Sequence, residues 1–111
     1  MDKFINYWKL HEVDDVLDLF TDNVEYWETP FNKVSDKSSL KKEWEYVKNQ
    51  RNIEIFYDVF LKNRNKFSII WKLKYLNEKN EIKIFSGVYL IGLNNDGKCN
   101  YFFHCCESKN N

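Results

Sequence analysis

The sequence lacks an excess of charge of either sign: Lys and Arg number 17, Asp and Glu number 17, and the formal net charge is zero. A nucleic-acid-binding surface usually shows as a basic excess or stripe. Here acids and bases interleave, as in Lys41, Lys42, Glu43 and Glu45, so no nucleic-acid partner is expected. Cysteine is scarce and badly placed for cross-linking. The three present are Cys99, Cys105 and Cys106, an odd count with two adjacent, which makes a poor disulfide framework. No CxxC pair or His/Cys spacing points to zinc, and neither a metal nor a cofactor is expected. Free thiols suit a reducing compartment. Long apolar runs are missing as well. The opening MDKFINYWKLHE carries charges throughout and reads as neither a signal peptide nor a membrane span. A cytoplasmic protein is the expectation. With one proline and three glycines, no linker, repeat or low-complexity stretch interrupts the chain.

What is present is aromatic. Of 111 residues, 43% are hydrophobic and 18% are Phe, Trp or Tyr. Such a share needs a core, a pocket or a subunit interface to occupy. The length suits one domain over 1–111, large enough to bury a core unaided.

Periodicity orders the elements. Residues 2–10 place Phe4, Ile5 and Trp8 at helical spacing, and residues 12–20 do the same with Val13, Val16, Leu17 and Phe20. Asp14, Asp15 and Asp18 form a solvated face of that second helix. Val24–Trp27 is a short strand ended by Pro30, and residues 31–37 read as loop. Ser38 or Ser39 is expected to cap a third helix, whose apolar face carries Leu40, Trp44 and Val47 and which stops near Asn49–Asn52. From Ile53 the period becomes two. Ile53–Leu61, Phe67–Tyr75 and 81–93 are long strands, separated by turns at Asn63–Asn65 and Asn77–Asn80. Asn94-Asn95-Asp96-Gly97 is a hairpin signal, and 98–107 is the last strand. Helices first and strands after argue for an α+β fold with an antiparallel meander. Both strand faces carry bulky residues. The one bearing Phe56, Phe60 and Ile70 is too apolar for open water, so a homodimer across the outer sheet face is expected.

Five segments in order, DVLDLFTDNVEY (15–26), TPF (29–31), SLKKEWEYVKNQRNIEI (39–55), SGVYLIG (86–92) and NDGKCNYFF (95–103), resemble SnoaL-like proteins of the nuclear transport factor 2-like superfamily over nearly the whole chain. The resemblance implies a cone-shaped half-barrel, with N-terminal helices packed on a strongly curved, mostly antiparallel sheet around an apolar cavity. It implies many chemistries and also plain binding modules, so function has to be argued from the site.

The enzymes of this superfamily place a few polar groups in an apolar cone, where burial raises a carboxylic acid and strengthens hydrogen bonds to developing charge. The base of ketosteroid isomerase corresponds to Thr29, which cannot serve as that base; Glu28 beside it can do so only if a local shift turns it inward. Its helix-borne tyrosine falls near Phe4, with Tyr7 one turn away. Its protonated acid falls near Tyr89, which keeps a donor. That triad is not intact, and steroid isomerisation is not expected. The carboxylate of limonene-epoxide hydrolase corresponds to His104, but Ser68–Lys72 offers no matching Arg and Asp. His104 shares a face with Phe102 and Cys106 by alternation. It reads either as a proton-transfer group or as a core histidine bonded to backbone or to a tyrosine hydroxyl. Cys106 lies roughly 7 Å from it by strand geometry, long for a nucleophile–base pair.

Two functions are carried forward. One is binding of a small hydrophobic molecule with acid–base chemistry by Glu28, Tyr89 and His104, and with Tyr26, Tyr57, Trp71 and Phe102 as pocket walls. The other is a non-catalytic dimeric scaffold whose cone is filled by its own side chains. A cavity of about 300 Å³ or more with converging polar groups separates the first from the second.

Overall fold

The computed structural model describes residues 1–109, and the last two residues of the expected 1–111 domain lie outside the described residues. Helix α1 (Asp2–Lys9) has an acid in its first turn and a base in its last, which suits the helix dipole. Its buried stripe is Phe4, Ile5 and Trp8. Helix α2 (Val13–Leu17) is shorter than periodicity suggested. The cause is a competing strand: the Cys99 amide donates to the Leu19 carbonyl at 2.8 Å, and Phe20 pairs with Cys99. Phe20 therefore opens β1 (Phe20–Thr29) instead of closing a helix. The 31–37 loop also contains a strand, β2 (Asn32–Val34), paired antiparallel with β1.

Helix α3 (Lys37–Glu45) is capped by Asp36, whose carboxylate accepts from the Ser39 amide at 2.8 Å and the Ser38 hydroxyl at 2.7 Å. The two serines are the capped residues, not the cap. Those bonds hold the Asp36 carboxyl below its ordinary range. Asp is as good an N-cap as Ser, and here it stands one residue before the helix. A 3₁₀ turn (Tyr46–Asn49) continues α3 and buries Val47.

Strands β3 (Arg51–Asn63), β4 (Lys66–Leu76), β5 (Ile82–Leu93) and β6 (Cys99–Ser108) form an antiparallel meander. The β5–β6 turn is built by Asn94, whose side chain accepts from the amides of Asp96 and Lys98, with Gly97 at φ 79°. Strand β1 joins the far side of β6 in parallel, and the sheet order is β2-β1-β6-β5-β4-β3. The result is a curved, mixed six-stranded sheet that does not close into a barrel.

The helices cover one face of the sheet. The core runs from Phe4, Trp8, Val16, Leu40 and Trp44 on the helices to Ile69, Trp71, Leu73, Tyr89 and Phe102 on the strands. The opposite face remains open, with Phe56 65% and Ile70 46% exposed. Register links this face across strands, since Ile70 pairs with Val88 and Val88 with Cys105. Among the described residues no helix is long and apolar enough to cross a membrane.

Candidate functional site

Strand register builds the site. Tyr26 pairs with Phe102 and Trp27 with Phe103 across the parallel β1–β6 ladder, and the next step brings Glu28 beside His104. Tyr89 pairs with His104 across β5–β6. Tyr26 and Glu28 both face the cavity, and the β1–β2 register is irregular between Trp27 and Thr29, at Glu28 itself. Thr29 is exposed.

Glu28, Tyr89 and His104 line one cavity of about 270 Å³, with Tyr26, Trp71 and Phe102 among its walls and α3 and the 3₁₀ turn as its roof. Tyr26, Trp71, Tyr89 and Phe102 are all buried. Phe102 stacks on Tyr26 at 4.8 Å, and Tyr89 stacks on Trp71 at 5.0 Å. Fixed rings of this kind make a rigid apolar wall around few polar atoms.

Tyr57 is not brought to this cavity. It sits on the edge strand β3, where α1 packs, and its hydroxyl donates to Asp2 at 2.7 Å. It lines a separate hollow of about 480 Å³ near the start of α1. Phe4 lines this second hollow and packs edge-on to Tyr89 and tilted against Phe102.

The electrostatics of the main cavity centre on Glu28. Its carboxyl is pushed up from 4.5 to about 7, first by burial and then by the charge of Glu43, while hydrogen bonding from Tyr26 pulls it part of the way back. His104 Nδ1 lies 3.0 Å from the Glu28 backbone carbonyl oxygen and 3.9 Å from its carboxylate. Burial pulls the imidazole below its ordinary value, opposed by that backbone bond. Tyr26 and Tyr89 are both held protonated by burial and by the neighbouring Glu28 charge. Cys106, on the cavity wall, is pushed up by burial and by Glu28, which disfavours the thiolate. Among the described residues, His104 Nε2 and Trp71 Nε1 are buried without a hydrogen-bond partner. No group of three or more His, Cys, Asp or Glu side chains gathers where it could hold a metal ion, again among the described residues.

Glu43 and Gln50 reach the cavity from the roof and were not singled out by sequence. Gln50 accepts from the Trp8 indole at 2.8 Å. Glu43 is itself exposed, three residues after Leu40 at the edge of the buried stripe of α3.

An acid near neutrality, a neutral imidazole and two protonated phenols in an apolar pocket can hold and move a proton. No family model matches the chain, and no curated protein matches it. Solved structures do. An NTF2-like protein of unknown function from Exiguobacterium sp. 255-15 superposes with a TM-score of 0.79 at 16% identity, covering 96% of both chains. SalBIII, an epoxide hydrolase/cyclase-like enzyme with a role in pyran ring formation in the polyether salinomycin, gives 0.82 at 11% identity, covering 96% of this chain and 86% of its own. The Delta 5-3-ketosteroid isomerase from Mycobacterium sp. gives 0.80 at 10% identity, covering 97% and 94%. Identities this low speak to architecture alone: the chain has the cone-shaped α+β fold of the SnoaL-like, nuclear transport factor 2-like proteins.

Proposed function

We propose that this chain, acting as one domain, binds a small and largely apolar molecule in its cone and moves a proton on it through Glu28 and His104. The observation that carries this reading is the meeting of Glu28, Tyr89 and His104 on one apolar cavity. A volume of about 270 Å³ falls just short of the roughly 300 Å³ set above as the mark of a ligand pocket, so the convergence of the polar groups, not the volume, supports this reading, and the ligand is compact. With its carboxyl near 7, Glu28 can accept a proton from a carbon next to a carbonyl at neutral pH. The electron pair of that C–H bond moves toward the carbonyl oxygen, giving an enolate. Protonated Tyr89 is a donor for the developing charge. The solved enzymes of the same fold include an isomerase and a cyclase-like protein, which supports acid–base chemistry for this cone.

The same reading includes a homodimer through the outer sheet face and a cytoplasmic location. Exposed Phe56, Ile70, Val88 and Leu90 support the first, and three free cysteines support the second. A non-catalytic dimeric scaffold is the second reading. It is favoured by the packing of Phe4, Tyr89 and Phe102, which fills the cone between its two hollows.

Titration of ¹⁵N-labelled protein with β-tetralone, a compact enolisable ketone, separates the two. Amide shifts clustered around Glu28, Tyr89 and His104 support the ligand site. An unchanged spectrum at millimolar ketone supports the scaffold.

A further inference from the structure

Two residues that line the cavity, Trp71 and His104, each carry a buried ring nitrogen with no partner among the described residues, and the two nitrogens are complementary. The Glu28 carbonyl oxygen 3.0 Å from His104 Nδ1 can only accept, so Nδ1 carries the proton of the neutral ring. Nε2 is then a bare lone pair, buried and unpaired. Burial keeps the ring from taking a second proton there. Trp71 Nε1 is the opposite case, a donor with nothing to donate to. The two rings lie 5.3 Å apart, tilted by 35°. Tyr89 packs against both, at 5.0 Å from Trp71 and 5.2 Å from His104, so their spacing is fixed.

We propose that Trp71 and His104 form a recognition pair for a single ligand hydroxyl (an alcohol, enol or phenol) that accepts from Trp71 Nε1–H and donates to His104 Nε2. A hydroxyl is the smallest ligand group that does both at one oxygen. An ether or a ketone serves Trp71 and leaves Nε2 facing a lone pair; a hydrocarbon serves neither. The pair selects the enol or alcohol form over the carbonyl form, and it places the hydroxyl proton on the lone pair of a base. This inference rests on the cavity being a ligand site, and it adds what the ligand must carry.

The test compares β-naphthol, β-methoxynaphthalene and naphthalene by calorimetric titration of the intact protein. The naphthol is expected to bind at least about tenfold more tightly than the other two, because both analogues leave a buried polar group unpaired. In Trp71→Phe, which keeps the aromatic wall and removes the N–H, that preference is expected to fall to within about threefold while naphthalene affinity is kept. On the wild-type protein, the Trp71 indole N–H resonance is expected to move downfield with naphthol and to stay in place with naphthalene, a readout independent of how well Trp71→Phe folds. Equal binding of naphthol and its methyl ether means that water satisfies the two nitrogens, and overturns the pair while leaving the ligand site standing. Failure of all three to bind removes the ligand site itself, and the inference with it.

Discussion

His104 Nδ1 sits 3.0 Å from the backbone carbonyl of Glu28 and 3.9 Å from its carboxylate, so one residue sets the tautomer of the imidazole and also provides the acid beside it. The contact spans two strands paired in parallel, β1 and β6. It makes β1, the first strand of the chain, the element on which the site depends.

The raised Glu28 carboxyl has a consequence for stability. Its folded value of about 7 lies above its ordinary 4.5, so between those pH values the folded state binds more proton than the unfolded. Stability then falls as pH rises from about 4.5 to about 7. The loss is on the order of 2 kcal/mol, trimmed by the 32% of the side chain open to solvent. His104 works in the opposite sense: its folded value lies below 6.5, so its contribution rises with pH and is complete above about 6.5. Glu28→Gln should remove the first slope and leave the second. Urea unfolding at pH 5 and pH 7.5 checks this: the wild type should lose stability between them relative to the variant. Parallel pH dependence of the two proteins would refute the perturbed carboxyl.

Gly87 is a packing requirement of the site. It pairs with Cys106 and with Trp71 on either side. A Cβ there would collide with the Cys105 carbonyl oxygen and come within 2.8 Å of the Cys106 Cα. Both obstacles are backbone, so they cannot rotate away. Gly87→Ala should destabilise the protein by about 1–3 kcal/mol or more, read as a lowered Tm. An unchanged Tm would mean that β5 and β6 stand further apart than described.

The open sheet face makes a prediction about assembly. Ile70 is 46% exposed and lies in a cross-strand apolar row with Val88 and Cys105. Gel filtration with light scattering should find a dimer at micromolar concentration. Ile70→Lys, which puts a charge into the centre of that face, should shift it to monomer without lowering Tm by more than the dimer contributes. A wild-type monomer would remove the outer-face interface.

The meander, the three helices and the concave position of Trp71, Tyr89, Phe102 and His104 were legible in the sequence because alternation and helical spacing are local signals. The misread elements are those decided by distant partners. Phe20 has helical spacing, but β6 recruits it into β1. Asp36, not a serine, caps α3 because the carboxylate satisfies both the Ser39 amide and the Ser38 hydroxyl. Tyr57 has the same alternation as the wall residues, yet the N-terminal helix intercepts its hydroxyl at Asp2. Alternation names the face of a strand; it does not say which of two hollows on that face a side chain reaches. Glu28 was expected to reach the cone only through a local shift, and the β1–β2 register is irregular at that residue, between Trp27 and Thr29. The Glu43 charge that helps to raise it required knowing where α3 crosses the sheet.

Exchange of the α protons of β-tetralone into deuterated buffer, followed by NMR, tests the proton-transfer claim most directly. The wild-type protein should accelerate exchange over buffer alone, and Glu28→Gln should lose that acceleration by about a hundredfold. Exchange at the buffer rate in the presence of folded wild-type protein, or an acceleration unchanged in Glu28→Gln, would contradict it.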